Sequence, residues 1–292
     1  MNMYLVDAFT HQPFAGNPAG VVLLDNNQPF PSNAFMLQVA AEMKQSETVF
    51  VKPLGNDQFH LRYFTPSAEV DLCGHATIGA FSLLQKKNVI EKSSALALTS
   101  AGELTITLND GEIWMTMAAP QHLLTFNREE SRDLYQAFGM DMSHQPGDLS
   151  PQIISVGLAD ILLPVNSIAS LNGAVQDVRS VIRLSEQYQS VGFHLFALAP
   201  DQGVTAHCRN FAPRFGIHEE SATGTASGAL TYLLYHQGLI QKNTDNVFLQ
   251  GAAMGRLSTI KSRLIEKDGE ATVLVGGTGV VVMEGRLLPS WK

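Results

Sequence analysis

The sequence is poor in the features that mark several large functional classes. Only 2 of its 292 residues are cysteine, Cys73 and Cys208. That is too few for a disulfide scaffold, and no Cys/His spacing resembles a zinc site. No apolar stretch approaches the length of a membrane-spanning helix. The opening residues Met1-Asn2-Met3-Tyr4-Leu5-Val6-Asp7 lack a basic leader and include an acid, so the expected location is cytoplasmic. Basic residues are scarce, 19 Lys and Arg against 27 Asp and Glu for a net charge of −8. Without a basic run, neither nucleic acid nor a membrane surface is an expected partner. A nucleotide loop, a metal cluster and a Ser-His-Asp constellation are missing too, so the expectation is no cofactor and no metal. What is present is globular in character, 45% hydrophobic and 16% charged, and long enough for two domains of roughly 150 residues.

One stretch occurs twice. Arg62-Tyr63-Phe64-Thr65-Pro66 precedes Cys73-Gly74-His75-Ala76-Thr77 and Leu83-Leu84; Arg209-Asn210-Phe211-Ala212-Pro213 precedes Thr223-Gly224-Thr225-Ala226-Ser227 and Leu233-Leu234. The offset is 147 residues at the Arg-x-Phe-x-Pro part and 150 at the glycine part, so the second copy carries a short insertion. Each copy reads as a strand, a Pro-marked turn, a small-residue loop and a helix opening at the glycine. The helices, about 75–87 and 225–237, are apolar or small on every side, the pattern of helices enclosed by protein. Asn88 and Gly238 stop them. First-turn amides beside a glycine form an anion site. If a pseudo-twofold axis relates the copies, both sites face one cleft, where an anion should sit near Gly74-His75 or Gly224-Thr225. A single Gly-x-Ala loop is more often plain tight packing; the repetition argues for more.

Alternation predicts strands at 3–8, 21–24, 48–51, 58–64, 103–108 and 112–117, with a loop over 11–20 and a helix over about 33–45 capped by Ser32. Ala118-Ala119-Pro120 reads as a hinge. Beyond it come helices over about 128–138 and 172–185, and strands near 153–157, 160–165, 193–199, 203–211, 246–250, 256–262, 271–276 and 279–283. So many strands against so few helices argue against a doubly wound parallel sheet. The fold class expected is α+β, two pseudo-symmetric halves, each a rolled, mostly antiparallel sheet around a central helix. The boundaries expected are 1–118 and 119–278.

Glu47 stands at the mouth of an apolar strand beside Ser46. A partly desolvated carboxylate suits proton transfer near neutral pH, although edge-strand acids are more often plain solvated charges. His75 falls in the first turn of a helix, where it could touch substrate or serve merely as a cap. Glu219 and Glu220 precede the second helix, where acids also stabilise the dipole without catalytic duty. Cys73 sits where a helix N-terminus favours a thiolate. Its repeat counterpart is Thr223, so no symmetrical pair of thiols exists.

Asp7-Ala8-Phe9-Thr10, Gly16-Asn17-Pro18-Ala19-Gly20, Ser46-Glu47-Thr48-Val49-Phe50, Arg62-Tyr63-Phe64-Thr65-Pro66, Asp71-Leu72-Cys73-Gly74-His75-Ala76-Thr77, Phe211-Ala212-Pro213-Arg214, Thr223-Gly224-Thr225-Ala226, Gln250-Gly251-Ala252-Ala253-Met254-Gly255-Arg256 and Val275-Gly276-Gly277 together resemble the phenazine-biosynthesis PhzF-like isomerase family. The resemblance implies a diaminopimelate-epimerase-like fold with the active site between the halves, a C-terminal strand, 279–292, that crosses back to complete the first half, and a homodimer. It implies a cofactor-independent isomerase acting by acid/base catalysis on a small anionic carboxylate. Glu47 would transfer the proton, with His75 and Glu220 as catalytic partners. Asn17, Ser46, Cys73, Gly74, Gly224 and Thr225 would bind substrate. Two positions depart from the family pattern: Glu220 replaces an aspartate and Ser221 a proline. These departures motivate a second reading, a catalytically silent small-ligand binder; a third is an epimerase that uses Cys73 with another base opposite.

Overall fold

The computed structural model describes residues 1–25, 28–147, 149–200, 203–267 and 269–288. The chain divides into two compact units, Met1–Thr116 joined by the segment from Gly276, and Met117–Val275. Few helices and many strands make both α+β.

The first unit runs β1 (Asn2–Ala8), β2 (Asn17–Leu23), α1 (Asn33–Met43), β3 (Thr48–Gly55), β4 (Gln58–Phe64), β5 (Glu69–Val70), α2 (Gly74–Lys86), β6 (Ser94–Thr99), β7 (Gly102–Asn109) and β8 (Glu112–Thr116). Its strands pair antiparallel β1 to β2, parallel β2 to β3, antiparallel β3 to β4 and β4 to β5, parallel β4 to β6 and antiparallel β6 to β7. The second unit runs β9 (Gln121–Thr125), α3 (Arg128–Gln136), β10 (Gln152–Ser155), β11 (Ala159–Pro164), α4 (Ile168–Gly173), α5 (Val178–Gln187), β12 (Gly192–Leu198), β13 (Ala206–Ala212), β14 (Ile217–Glu220), α6 (Gly224–His236), β15 (Asn246–Gln250), β16 (Ser258–Lys267) and β17 (Glu270–Gly277). From β10 to β16 it repeats the same steps in the same order, antiparallel, parallel, antiparallel, antiparallel, parallel, antiparallel. The last strand, β18 (Gly279–Arg286), lies antiparallel to β1 and so ties the chain's end to its start. Residues 289–292, where the C-terminal strand was expected to continue, lie outside the described residues.

Each unit is built on its enclosed helix. In α2 every residue from His75 to Leu84 is buried, against β1, β2, β3, β8 and β18. Burying Phe81, Leu83 and Leu84 contributes roughly 1.5–3 kcal/mol apiece. Helix α6 lies on β10, β11 and β16, and a Cβ on Gly228 would press within 3.2 Å of Val156 and Val275. Both helices end alike. Asn88 (φ 55°) and Gly238 (φ 69°) turn left-handed. The next amides, of Val89 and Leu239, then reach back to the carbonyls of Leu84 and Leu234 at 3.0 and 2.9 Å.

The structure revises some boundaries. The helix expected over 172–185 is two helices, α4 and α5. Arg209 explains the break: its guanidinium donates to the carbonyls of Leu171 (3.1 Å) and Ala174 (2.8 Å), which a continuing helix would consume. Asp177 then caps α5 through the Arg179 amide. Strand β2 starts at Asn17 rather than Val21, because Asn17 already faces Ala8 in the antiparallel ladder. The short strands β5, β9 and β14 and the strand β6 were not anticipated. The extra residues of the second copy lie between Pro213 and Glu219, since Arg62 pairs with a glutamate 7 positions on and Arg209 with one 10 positions on.

Two buried ionisable groups of the second unit oppose each other in pH dependence. Burial pushes His194 down to about 3 and Asp160 up to about 7. Unfolding lets His194 take a proton below pH about 6.5, so its burial removes stability as pH falls. Asp160 holds a proton in the folded state that it gives up on unfolding, so its burial removes stability as pH rises toward 7. Asp160→Asn is therefore expected to be stabilised relative to wild type at pH 8 and to lose stability more steeply on acidification to pH 5. Urea midpoints across that range measure both trends, and parallel curves for the two proteins would refute the opposition.

Candidate active site

The first unit brings five of the residues singled out in the sequence to the start of α2. Cys73 is its N-cap, in extended conformation (φ −141°, ψ 115°), with a side chain that makes no capping hydrogen bond. A buried hydroxyl chain holds it there. Tyr63 bonds Thr77 at 2.7 Å, and the Thr77 hydroxyl donates to the Cys73 carbonyl at 2.7 Å, which leaves Tyr63 as donor. Burial keeps the Tyr63 phenol protonated well above its usual range. Gly74 and His75 open the helix, and His75 is 4% exposed. Its ring lies between two partners. Nδ1 is 3.4 Å from Cys73 Sγ; Nε2 is 3.3 Å from Glu47 Oε2 and 3.3 Å from Ser46 Oγ.

Glu47 arrives from the other direction. The Gly20 amide of β2 donates to the Glu47 carbonyl at 3.1 Å, and Thr48 immediately starts β3. The carboxylate is 13% exposed, and Oε2 is buried without accepting a hydrogen bond in the described structure. Burial lowers the His75 pKa, and the nearby Glu47 charge offsets this only in part. At neutral pH the ring is therefore neutral. Asn17, buried, begins β2 upstream of Gly20.

Glu220, Gly224 and Thr225 belong to the second unit. Glu220 Oε2 accepts from the Thr223 hydroxyl at 2.8 Å. Gln250, fully buried, binds the whole turn: its amide nitrogen donates to the Glu220 carbonyl (2.7 Å) and Thr223 Oγ1 (3.0 Å), and its oxygen accepts from the Thr223 amide (3.2 Å). Gly251 packs its backbone on Ser221, where a Cβ would lie 2.7 Å from the Ser221 carbonyl. Gln250 and Gly251 thus fix the turn where the family pattern has a proline. Sequence reasoning gave Gln250 no role; its only signal was its place in the Gln-Gly-Ala-Ala-Met-Gly motif.

Glu219 has a different task. It accepts from Arg209 Nε and Nη2 at 2.8 and 2.9 Å, as Glu69 accepts from Arg62 at 2.7 and 2.6 Å. Both arginines also stack on a phenylalanine, Arg62 over Phe64 and Arg209 over Phe211. The repeated Arg-x-Phe thus clamps the short strand leading into each enclosed helix.

Register shows where the repeat departs from symmetry. Thr48 faces Phe64 as Phe193 faces Phe211, so the counterpart of Glu47 is Gly192. No side chain fits there, since a Cβ would collide with the Phe211 carbonyl. The counterparts of Cys73 and His75 are Thr223 and Thr225. A carboxylate, thiol and imidazole meet only at the helix start of the first unit, among the described residues.

Comparison with known proteins agrees with this anatomy. The sequence profile of the family described as phenazine biosynthesis-like protein (PhzC-PhzF) matches residues 6–285. The chain is 31% identical over 298 aligned positions to an uncharacterized isomerase of Clostridium acetobutylicum, covering 98% of each chain. It superimposes with a TM-score of 0.88 on the crystal structure of the Bacillus anthracis phenazine biosynthesis protein of the PhzF family, at 26% identity and 99% coverage of both chains. A probable proline racemase from Agrobacterium radiobacter K84 shares the fold alone, with a TM-score of 0.66 at 12% identity over 99% of this chain and 93% of that one. By sequence profile and by structure alike, the chain belongs to the phenazine biosynthesis-like PhzC-PhzF family.

Proposed function

We propose that the chain is a cofactor-independent isomerase that moves a proton within a small carboxylated substrate, with Glu47 as the proton carrier. The observation that carries the reading is Glu47 Oε2, buried, accepting no hydrogen bond, and 3.3 Å from a neutral imidazole. Glu47 takes a proton from a carbon next to a C=C bond and becomes a carboxylic acid, while the electron pair of the broken C–H bond shifts that double bond along the chain and delocalises toward the substrate carboxylate. Returning the proton to another carbon regenerates the Glu47 anion, so the cycle balances without an external acceptor. The first turn of α2 supplies amides and partial positive charge for the developing anion. His75 and Ser46 set the carboxylate's orientation. The names of relatives, isomerases among them, point the same way.

The test is incubation of the protein in deuterated water with a panel of small aromatic and aliphatic carboxylates, read by mass spectrometry. A turned-over substrate is expected to gain deuterium at carbon without added metal or nucleotide. A ligand that shifts the melting temperature yet never exchanges would refute the isomerase and leave a binding protein.

A second reading draws on Cys73 Sγ, 3.4 Å from His75 Nδ1, an arrangement that could make the thiol the base of an epimerase. The expected result for Cys73→Ala is retained exchange at carbon; its abolition, with folding intact, would transfer the role of base from Glu47 to the thiol.

A further inference from the structure

We propose that Glu47, Cys73 and His75 also form a binding site for Zn²⁺, and that the bound ion shuts off proton transfer by occupying the Glu47 carboxylate. Only the second clause rests on Glu47 being the proton carrier.

The donor atoms of these side chains, one from each, lie within 4.8 Å of one another. Two distances bear on the fit. Nε2 to Oε2 is 3.3 Å, and Sγ to Nε2 is 3.9 Å. A tetrahedral ion with Zn–N and Zn–O near 2.0–2.1 Å and Zn–S near 2.3 Å separates its ligands by about 3.3–3.6 Å. The first pair already has that spacing, whereas the sulfur, which rests nearer Nδ1 at 3.4 Å, must swing toward the Nε2 side to complete the shell. A thiolate, an imidazole and a carboxylate leave the fourth position open, as in catalytic zinc sites. The sulfur favours Zn²⁺ over oxygen-seeking Mg²⁺ and Ca²⁺.

The surroundings support the arrangement. Cys73 is 8% exposed and His75 4%, so water competes weakly. Glu47 Oε2 accepts no hydrogen bond that a metal would have to displace. Ser46 Oγ, 3.3 Å from Nε2, can hold the water completing the shell. The Tyr63–Thr77–Cys73 hydroxyl chain fixes the backbone that carries the sulfur. Against the ion stands the positive end of α2, which suits a reversible inhibitory site better than a permanent one. Glu47 lies 26 positions before Cys73, which is why sequence spacing gave no zinc signature.

The experiment is a titration of metal-free protein with Co²⁺ and then Zn²⁺, without substrate. One equivalent of Co²⁺ is expected to produce a sulfur-to-cobalt charge-transfer band, which Zn²⁺ bleaches. Cys73→Ser should abolish the band and Cys208→Ser should keep it. Glu47→Gln should weaken Zn²⁺ by roughly tenfold or more. No band in the wild-type protein, or a band that survives Cys73→Ser, overturns the site. Zn²⁺ that binds there yet leaves deuterium exchange unchanged overturns the inhibition. Failure of the isomerase reading shows separately, as no exchange in metal-free wild-type protein, and leaves the cobalt spectrum untouched.

Discussion

Glu47→Gln is expected to lose deuterium exchange at the substrate carbon by about 10²- to 10⁴-fold while keeping its fold, the range associated with removing a general base. Glutamine keeps the shape of glutamate and gives up only the ability to carry the proton. Because Oε2 accepts no hydrogen bond, few stabilising contacts disappear with the charge, and a stability change within about 1 kcal/mol is expected. A loss in KM rather than in kcat would mean that Glu47 binds substrate instead of reacting with it. Equal exchange rates in mutant and wild type would end the mechanism. The asymmetry of the repeat sharpens the prediction: Gly192 occupies the register position of Glu47, so the second unit offers no matching carboxylate to take over.

The second large effect concerns stability. Arg209→Ala is expected to cost about 3–5 kcal/mol, against about 1 kcal/mol for Arg62→Ala at the repeated position. In both, a guanidinium grips a glutamate with two bonds and stacks on a phenylalanine. The difference lies in what else is attached and how dry the pair is. The side chains of Arg209 and Glu219 are 12% and 16% exposed, against 18% and 29% for Arg62 and Glu69. Arg209 also satisfies the Leu171 and Ala174 carbonyls at the break between α4 and α5. Removing it strands the Glu219 carboxylate and the Ala174 carbonyl and leaves the Leu171 carbonyl with only the Ala174 amide, whereas Arg62 leaves groups that water can reach. Arg209→Lys should recover only part of the loss, because a single ammonium cannot reproduce the fork. Urea denaturation of the three variants decides the matter; equal losses at 62 and 209 would show that the clamp alone carries the energy.

Much of the architecture was legible because it is written twice. The two Arg-x-Phe-x-Pro stretches and the all-round apolar helices behind them gave the α+β class, both central helices and their stop signals at Asn88 and Gly238. Other features depend on partners distant in sequence. Asn172-Gly173 is a weak local stop before Ala174; what holds the break open is Arg209, on another strand. The two-residue strand Glu69–Val70 is too short for any alternation to register. At the site, residue types suggested Glu47, Cys73 and His75 one by one, but their convergence depends on the Gly20–Glu47 bond between neighbouring strands. Glu219 and Glu220 could not be told apart by composition. Register separates them, since Glu220 faces Asn210 on β13 while Glu219 reaches Arg209.

The pairing of β1 with β18 has a consequence for how the protein is made. Asn2 faces Arg286 and Ala8 faces Gly279, so an N-terminal strand must wait for almost the whole chain to be translated before one of its edges is covered. At roughly 5–20 residues per second the wait lasts on the order of 15–60 seconds. Throughout that time the first unit exposes an open strand edge to solvent and to chaperones, whereas the second unit, whose sequence ends at Val275, contains no part of β18. Chains truncated at residue 278 and released from the ribosome should therefore show a protease-resistant second unit beside a protease-sensitive first one.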